Sequence, residues 1–342
     1  MLRLSHFTDL LNYGFTDYIY QMIVITCAAG FIASNLVRAL VKNSLTDLLL
    51  VDHFPTDKYS PKSDNIAEFA ALPKMNRDLF LEWFTDHAEE VSFVFHLGAR
   101  TDTSEFDFRV LDSLNLSYSM TLWEICTVKQ IPFLYASSAA TYGMGESGFE
   151  DDQIKIPLLQ PLNPYGLSKQ LFDVQVISQD TQPPFWAGLK FFNVYGPYES
   201  HKGRMASVVF HAFNQIRETG KLKLFQSHHS NFKDGEQLRD FIFVDDVVDI
   251  CLYMYHHRPA SDIYNVGTGH ARSFNDLGKA VFKAMDQPEN IEYIPIPDDI
   301  RDKYQYFTQA TMTKLSNAGY KSPFLTLEQG VEKYVTFLKA TN

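Results

Sequence analysis

The sequence has few cysteines, a deficit of basic residues and no long apolar run. Its three cysteines, Cys27, Cys126 and Cys251, cannot form a closed disulfide framework, so a reducing cytoplasm is the simplest interpretation. Thirty Lys and Arg stand against 41 Asp and Glu, a net charge of −11, which argues against a surface that binds nucleic acid.

The most apolar stretch, 22–37, is shorter than the roughly 20 residues of a spanning helix. Residues 1–21 lack the apolar core of a signal peptide. We expect neither membrane insertion nor secretion.

Apolar material for a large core is abundant. Hydrophobic residues make up 45% of the chain and aromatic residues 14%. From Met22 onward, short apolar runs alternate with helix-like stretches, which is the pattern of a parallel sheet covered on both faces. The sequence therefore predicts an α/β protein with a Rossmann-type, doubly wound parallel sheet. The predicted strands are 23–26, 48–52, 91–98, 131–138 and 188–195, and the predicted helices are 33–43, 114–128, 165–177 and 206–217.

The regular alternation stops after about Pro197, which indicates a smaller, mixed α/β substrate-binding domain. We predict a dinucleotide-binding domain over 22–196 that also receives about 241–267. The substrate-binding domain then takes 197–240 and 268–342. Residues 1–21 precede the first strand, and we interpret them as a poorly ordered extension, with Met22 as an alternative start.

Residues 23–35 have the pattern of a strand, a tight turn and a helix start. This is where a dinucleotide-binding fold holds the pyrophosphate, at the helix N-terminus. The glycine spacing Gly-x-x-Gly-x-x-Gly becomes Cys27, Gly30 and Ala33, so a side chain at Cys27 predicts weakened cofactor binding. Asp52 ends the second strand and can accept hydrogen bonds from the adenosine ribose. Nearby Lys58, Lys74 and Arg77 leave both NADP and NAD open.

The spacing Tyr-x-x-x-Lys occurs twice. Tyr165 and Lys169 follow Pro164 at a helix start, whereas Tyr198 and Lys202 lie in a predicted loop. One helical turn brings an ammonium near a phenol, so the first pair can lower the tyrosine pKa from about 10 and form a general base. Ser138 ends a predicted strand, where its hydroxyl can reach a substrate oxygen.

Together these motifs resemble the extended short-chain dehydrogenase/reductase family of nucleotide-sugar enzymes. Further blocks are similar to the ADP-L-glycero-D-manno-heptose 6-epimerase branch of that family. They are YASSAATYG at 135–143, ESHKG at 199–203, MASV at 205–208, RDF at 239–241 and YQYFTQ at 304–309. The likeness runs from Met22 almost to the C-terminus.

The resemblance implies an isomerase that binds NADP and works on an ADP-linked heptose, a precursor of the lipopolysaccharide core. It interconverts the D-glycero and L-glycero epimers by transient oxidation and reduction at C6. Two residues handle protons on opposite sides of that carbon, and by resemblance these are Tyr165 and Lys202. Lys169 would hold the nicotinamide ribose and lower the Tyr165 pKa. The resemblance also implies a homo-oligomer, a pentamer.

Two further sets of residues follow from the resemblance. The cofactor set, besides Lys169 and Lys202, is Gly30, Phe31, Ile32, Asp52, His53, Lys58, Arg77, Leu97, Gly98, Ala99, Asn115 and Val194. The substrate set is Ser138, Asn193, Arg204, His211, Arg239 and Tyr304, of which Arg239 is suited to a bidentate phosphate contact.

Other functions compete with this interpretation. A 4,6-dehydratase carries an acid pair after the active-site Ser or Thr. This chain has Ala139 and Ala140 at those positions, which argues against dehydration. A UDP-sugar 4-epimerase needs the same Ser, Tyr and Lys and stays open, and so does a non-catalytic dinucleotide-binding module. The histidine pairs 228–229 and 256–257 lack the spacing of metal ligands, and we predict no metal.

Overall fold

The computed structural model describes residues 22–55, 60–103, 105–301 and 304–341. Within them the central sheet has seven parallel strands in the order β10-β6-β5-β4-β1-β2-β3. A three-stranded sheet has the order β11-β9-β7, and β12 pairs with β8. The strands are β1 Met22–Thr26, β2 Leu48–Asp52, β3 Lys74–Asn76, β4 Val91–His96, β5 Phe133–Ser138, β6 Trp186–Phe191, β7 Asn193–Tyr195, β8 Leu222–Phe225, β9 Leu238–Phe243, β10 Asp262–Val266, β11 Ala271–Ser273 and β12 Ile291–Ile294.

Helices cover both faces of the central sheet. The helices are α1 Phe31–Lys42, α2 Arg77–His87, α3 Phe108–Leu111, α4 Tyr118–Lys129, α5 Pro164–Ser178, α6 Val208–Thr219, α7 Val244–His257, α8 Phe274–Met285, α9 Asp298–Arg301, α10 Thr313–Asn317 and α11 Leu327–Thr341. Alternate side chains of β1 enter different cores, because Ile23 and Ile25 pack with α1 and α7 while Val24 packs with α2 and α4. The predicted doubly wound α/β fold is confirmed.

The carboxyl ends of β1 and β4 mark the point where the strand order reverses. Connections on either side of that point leave in opposite directions, so a crevice opens there, and open α/β sheets bind ligands in it. β2 is buried along its whole length, as its unbroken apolar sequence requires in a sheet covered on both faces. The fold therefore places the turn 27–30 and the residues after His96 at one edge.

The predicted strand 188–195 is in fact two strands in two sheets. β6 ends at Phe191 in the central sheet, and β7 begins at Asn193 in the three-stranded sheet. Between them the Phe192 N–H donates to the Val266 carbonyl on β10 (3.0 Å). Periodicity alone could not show the break, because both strands are apolar.

Three further differences concern boundaries. Within the segment 241–267, β10 pairs with β6 in the central sheet, whereas residues 241–243 pair with β7 in the smaller sheet. The helix predicted from 114 begins as a π-helical segment, Asp112–Ser117, before α4. Residues 1–21 and Lys58 lie outside the described residues. The division into domains stays a prediction.

In the described ranges, no helix is both long and apolar enough to span a bilayer.

Candidate functional site

The turn between β1 and α1 is built around Cys27. This residue has φ +55°, a left-handed conformation that glycine adopts at no steric cost. Its carbonyl accepts from the Gly30 N–H (2.7 Å), and Gly30 is the N-cap of α1. Among the described residues no side chain caps this helix, so the first-turn N–H groups of Phe31 and Ile32 are available to an anion. The glycine that the motif lacks is replaced by a cysteine in the glycine conformation.

Lys62 is the cation of this turn, and the sequence analysis missed it. It lies in the 3₁₀ segment Pro61–Phe69, and its Nζ is 2.7 Å from Asp52 Oδ1 and 3.3 Å from Cys27 Sγ. Burial opposes its charge, but Cys27 and Asp52 outweigh burial and raise the pKa of Lys62. Asp52 also accepts from the Ala29 N–H (3.0 Å). The sequence analysis named Lys58, Lys74 and Arg77 as the cations near Asp52, whereas the folded 3₁₀ segment brings Lys62 there.

Three adjoining cavities run along the carboxyl edge of the central sheet. The outer cavity, about 310 Å³, is lined by Asp52, His53, Arg77, Gly98, Ala99, Arg100 and Tyr118, among others. The turn cavity, about 350 Å³, includes Cys27, Gly30, Lys62, His201 and Lys202. The catalytic cavity, about 340 Å³, includes Phe31, Ile32, Leu97, Ser138, Tyr165, Lys169, Asn193, Val194 and Lys202. Neighbouring cavities share lining residues, so together they offer an elongated site of the kind that a dinucleotide needs.

Asn115 was predicted to line the cofactor, but it does not belong to the residues lining these three cavities. Its Oδ1 accepts from the Arg100 N–H (2.7 Å) and its Nδ2 donates to the Arg100 carbonyl (3.1 Å) and to Ser168 Oγ (3.1 Å). It therefore fixes the loop after β4 and supports the outer cavity indirectly.

Tyr165, Lys169 and Ser138 meet in the catalytic cavity. Asn163 caps α5, because its Oδ1 accepts from the Gly166 N–H (2.8 Å), and Tyr165 and Lys169 lie one turn apart on this helix. Ser138 ends β5 and hydrogen-bonds to Tyr165. Lys169 Nζ donates to the Ala136 carbonyl (2.8 Å). The predicted grouping of these three side chains is present.

The charges of this group differ from our expectation in one respect. Burial raises the pKa of Tyr165, and the hydrogen bond from Ser138 is what opposes that rise. We had expected the Lys169 charge to lower it. Burial also lowers the pKa of Lys169 to about 8, against the opposing effect of Asp173. Lys169 thus titrates far closer to neutrality than an exposed lysine.

Lys202 reaches the same cavity from a different element. It lies in the 3₁₀ turn Ser200–Met205, and its Nζ is 5.4 Å from the centre of the Phe31 ring. Burial lowers the pKa of Lys202, while Glu199 and Cys27 oppose this. The Tyr198 of the second Tyr-x-x-x-Lys motif has φ +72° and stacks on the Arg38 guanidinium at 3.5 Å. Tyr198 precedes the 3₁₀ turn that contains Lys202, so this second motif does not lie on one face of an α-helix. This agrees with the prediction of a loop.

The predicted substrate residues do not all lie together. Asn193 lines the catalytic cavity. Arg239 is not among the lining residues, but its guanidinium lies 5.6 Å from the ring of Phe274, which does line this cavity, and 5.5 Å from the Tyr304 ring. Burial lowers the pKa of Arg239. Arg239 donates to the Leu238 carbonyl (2.9 Å) and to the Gln305 carbonyl. Arg239 and Tyr304 are therefore neighbours, as a joint role requires.

Arg204 and His211 are placed differently. Arg204 lines the turn cavity and forms an ion pair with Asp102 (3.4 Å), which holds it on the side of Cys27 and Lys62. His211 lies in the first half of α6 beside Phe210 and is outside the sets that line the three cavities. Their predicted contact with substrate stays a prediction.

A buried ion pair supports the strand that ends at Ser138. Lys190 Nζ is 2.6 Å from Asp173 Oδ2, and both side chains are fully buried. Asp173 also accepts from Tyr135 OH (3.0 Å) and Ser137 Oγ (2.7 Å), and Lys190 donates to Thr141 Oγ1 (2.7 Å). The sequence signal for this pair is a charged residue, Lys190, within the apolar run 185–192.

In the part of the chain that the structure describes, no three His, Cys, Asp or Glu side chains are arranged to hold a metal ion.

Comparison with known proteins places this site in a family. The model of the NAD dependent epimerase/dehydratase family matches residues 23–267. The ADP-L-glycero-D-manno-heptose-6-epimerase of Fusobacterium nucleatum is 45% identical over 324 residues, covering 92% of this chain and 97% of that protein. The enzyme of the same name from Nitratidesulfovibrio vulgaris is 44% identical over 316 residues, with the same coverage.

A solved structure of a protein with the same name is also similar to this chain. The crystal structure of Helicobacter pylori ADP-L-glycero-D-manno-heptose-6-epimerase has a TM-score of 0.78 and 28% identity to this protein, and the match covers 95% of this chain and 98% of that one. The chain belongs to the NAD dependent epimerase/dehydratase family.

Proposed function

We propose that this enzyme interconverts ADP-D-glycero-D-manno-heptose and ADP-L-glycero-D-manno-heptose by inverting C6. The observation that carries the proposal is the placement of Tyr165 and Lys202 in one cavity, on different elements of the fold. Inversion at a carbinol carbon needs proton handling on two sides, and these two groups supply it. The relatives named for this activity are 44–45% identical to the chain.

The dinucleotide fits the turn and the outer cavity. The uncapped start of α1 and the Lys62 ammonium suit a pyrophosphate. Asp52, His53 and Arg77 line the adenosine end. Lys62 neutralises Asp52, and two guanidinium groups line the same cavity, Arg77 beside Asp78 and Arg100 beside Glu105, which a 2′-phosphate could contact. This favours NADP over NAD.

Tyr165 and Ser138 act on the first side of C6. Ser138 can hydrogen-bond to the substrate hydroxyl while the Tyr165 oxygen takes the hydroxyl proton, leaving a carbonyl at C6. A nicotinamide held in this cavity would supply the hydride acceptor for C6 and the hydride donor for the return step. Lys169 lies one turn from Tyr165 on α5, and its ammonium is a buried cation on the Tyr165 side of the cavity.

Lys202 acts on the other side. After the reactive end of the sugar turns over, the carbonyl oxygen faces away from Tyr165 and needs a second proton donor. Burial lowers the pKa of Lys202, which makes its ammonium a better acid than an exposed lysine. Lys202 gives its proton to the oxygen as C6 is reduced, and the opposite epimer results. In the reverse direction the two residues exchange roles.

The test is a product analysis. Purified protein is denatured and the released dinucleotide is identified by mass spectrometry. Intact protein is incubated with ADP-D-glycero-D-manno-heptose, and the epimers are separated by chromatography. We expect NADP(H) and an equilibrium mixture of the two epimers. Turnover of a UDP-hexose at C4, with ADP-heptose unchanged, would replace this proposal by the 4-epimerase alternative.

The double variant Tyr165→Phe/Lys202→Met tests the mechanism. We expect it to lose epimerisation and to keep its dinucleotide, because neither substitution removes Lys62 or the start of α1. Lys129→Met, at the end of α4, is the control for removing a lysine elsewhere. Full activity in the double variant would contradict the roles given to Tyr165 and Lys202.

We also propose that the enzyme works as a homo-oligomer, a pentamer, in the cytoplasm. Ile154 is 81% exposed and Leu158 63%, and such large apolar side chains gain from being covered by another subunit. Cys126 and Cys251 are free, buried thiols, which fits a reducing compartment. Light scattering on the purified protein gives the subunit number.

A further inference from the structure

The side chain of Asn65 joins the phosphate turn to the turn that carries Lys202. It belongs to the same 3₁₀ segment as Lys62 and is 6% exposed. Its Nδ2 donates to the Ala29 carbonyl (2.9 Å) and to the Tyr198 carbonyl (3.0 Å). Ala29 lies in the turn between β1 and α1, and Tyr198 precedes the 3₁₀ turn Ser200–Met205. One amide group therefore links two segments that are 169 residues apart in sequence.

His201 adds a third contact beside Lys202. Its Nδ1 lies 3.1 Å from Asn65 Nδ2. Burial, with Lys62 and Lys202 nearby, lowers the pKa of His201 to about 4, so the ring is neutral at pH 7. Asn65 Nδ2 carries two hydrogens, which the Ala29 and Tyr198 carbonyls accept, so the neutral His201 ring packs against this amide group without being a third acceptor.

Other groups brace the same junction around Asn65. The Asn65 carbonyl accepts from Arg38 Nη2 (2.5 Å), and the Arg38 guanidinium stacks on Tyr198. Asn35 Nδ2 donates to the Pro197 carbonyl (3.0 Å). Arg38 and Asn35 both belong to α1, so the chain before Lys202 is fastened to α1 and to Asn65 together.

We propose that Asn65 is a positioning residue for Lys202, holding the Lys202 turn at a fixed distance from the dinucleotide turn. The inference rests on the proposed function, in which Lys202 is the second proton-transfer group. Lys202 has a long, flexible side chain, and the 3₁₀ turn that carries it contains a glycine, Gly203, at φ +54°. Its reach across the cavity is set by where the backbone of residues 198–201 is fastened. A misplacement of about 1 Å at such a group can cost around 100-fold in rate.

A double-mutant cycle between Asn65→Ala and Lys202→Met tests the proposal. We expect Asn65→Ala to lower kcat for ADP-D-glycero-D-manno-heptose at least tenfold. KM should stay within about threefold of wild type, and the dinucleotide content within about twofold. In the Lys202→Met background the same substitution should change kcat less than twofold, because the group it positions is gone. An equal fold-loss in both backgrounds overturns the proposal, since a general structural role is additive. Loss of the dinucleotide in step with kcat also overturns it.

The cycle separates this inference from the proposed function. If Lys202→Met keeps full turnover, the proposed chemistry fails and the positioning role falls with it. If Lys202→Met is slow and Asn65→Ala is as fast as wild type, only the positioning role is wrong. Asn265→Ala is the matched control, because Asn265 is also buried and also donates to two loop carbonyls, those of Phe149 and Thr311. Asn265→Ala should change kcat by the same factor in the wild-type and the Lys202→Met backgrounds.

A second variant keeps the test valid if Asn65→Ala does not fold. Asn65→Asp has the same shape but places a carboxylate against two carbonyl oxygens, so both donated bonds are lost. We expect amide hydrogen exchange of residues 200–206 to become at least tenfold faster in Asn65→Asp, with α8 unchanged. Exchange at the wild-type rate in residues 200–206 would overturn the proposal.

Discussion

Cys27 and Lys62 form the contact that distinguishes this phosphate turn. Cys27 Sγ lies 3.3 Å from Lys62 Nζ, in a turn where the motif expects a residue without a side chain. A β-carbon built on Gly30 would lie 2.8 Å from the same sulfur, so the thiol fills the space above the turn. Cys27 therefore occupies room that a pyrophosphate would use and shares the cation that would bind it.

Replacing this residue by glycine is the first prediction. Cys27→Gly removes the thiol and the cost of a left-handed residue with a β-carbon, roughly 1–2 kcal/mol. We expect tighter binding of NADP, by about tenfold, and a free energy of unfolding that is not lowered. Isothermal titration of dinucleotide-free protein measures the first, and urea denaturation measures the second.

Cys27→Ala separates the two causes. It keeps a β-carbon at φ +55° but removes the sulfur, so it should show the gain in affinity with a lower free energy of unfolding than Cys27→Gly. If neither variant binds NADP more tightly than wild type, the thiol is not an obstacle at this turn.

Much of this site could be predicted from local sequence, because Tyr165 and Lys169 are one helical turn apart and Ser138 ends a buried strand. These relationships depend on the periods of helices and strands. Lys62 and Asn65 could not be found in this way, since their role depends on a 3₁₀ segment that packs beside α1 and brings them to Asp52 and Ala29. The break at Phe192 was also hidden, because one apolar run serves two sheets.

The second prediction concerns pH and activity. Burial lowers the pKa of Lys169 to about 8, so the protonated fraction falls as pH rises through that value. If the ammonium favours the Tyr165 phenolate, kcat should fall above about pH 8. Measuring kcat from pH 6 to 10 gives this limb of the profile.

Lys169→Arg is the control for that profile. A guanidinium stays protonated across the range, so this variant should be slower than wild type at pH 7 but should lose the decline above pH 8. An unchanged decline in Lys169→Arg would assign it to another group.

The third prediction concerns the buried pair Asp173 and Lys190. Asp173→Asn leaves the Lys190 charge without a partner in a fully buried position, so we expect a loss of about 3–5 kcal/mol in the free energy of unfolding. The pair of Asp245 and Lys333 is the comparison, because its side chains are about half exposed and 3.5 Å apart. Asp245→Asn should cost no more than about 1 kcal/mol. Urea denaturation measures both, and equal losses would contradict the importance of burial.

The fourth prediction concerns acid stability. His96 is buried between Thr26 Oγ1 and Ser119 Oγ, each 2.8 Å from a ring nitrogen. Burial, with the charge of Lys169, lowers its pKa to about 3 from 6.5. The unfolded chain therefore binds a proton below pH 6.5 that the folded protein does not, and stability falls as pH drops from 6.5 toward 3. Between pH 7 and pH 5 the loss is about 2 kcal/mol.

His96→Gln removes that titration. Its free energy of unfolding should fall by about 2 kcal/mol less than that of wild type between pH 7 and pH 5. His256→Gln, at an exposed position of α7, should keep the wild-type dependence. The same pH dependence in His96→Gln and wild type would show that His96 does not titrate in this way.

The chain's passage at Phe192 from the seven-stranded to the three-stranded sheet bears on how the substrate turns over. The backbone crosses between the two parts again where β9 leads into α7 and where β10 leads into β11. Asp240 of β9 also accepts from the Thr268 N–H (2.7 Å) and the Ala310 N–H (3.0 Å). Two parts connected by several crossings of the chain cannot move apart as rigid bodies. The sugar must therefore reorient inside a cavity of fixed width, and that width limits which sugars can be inverted.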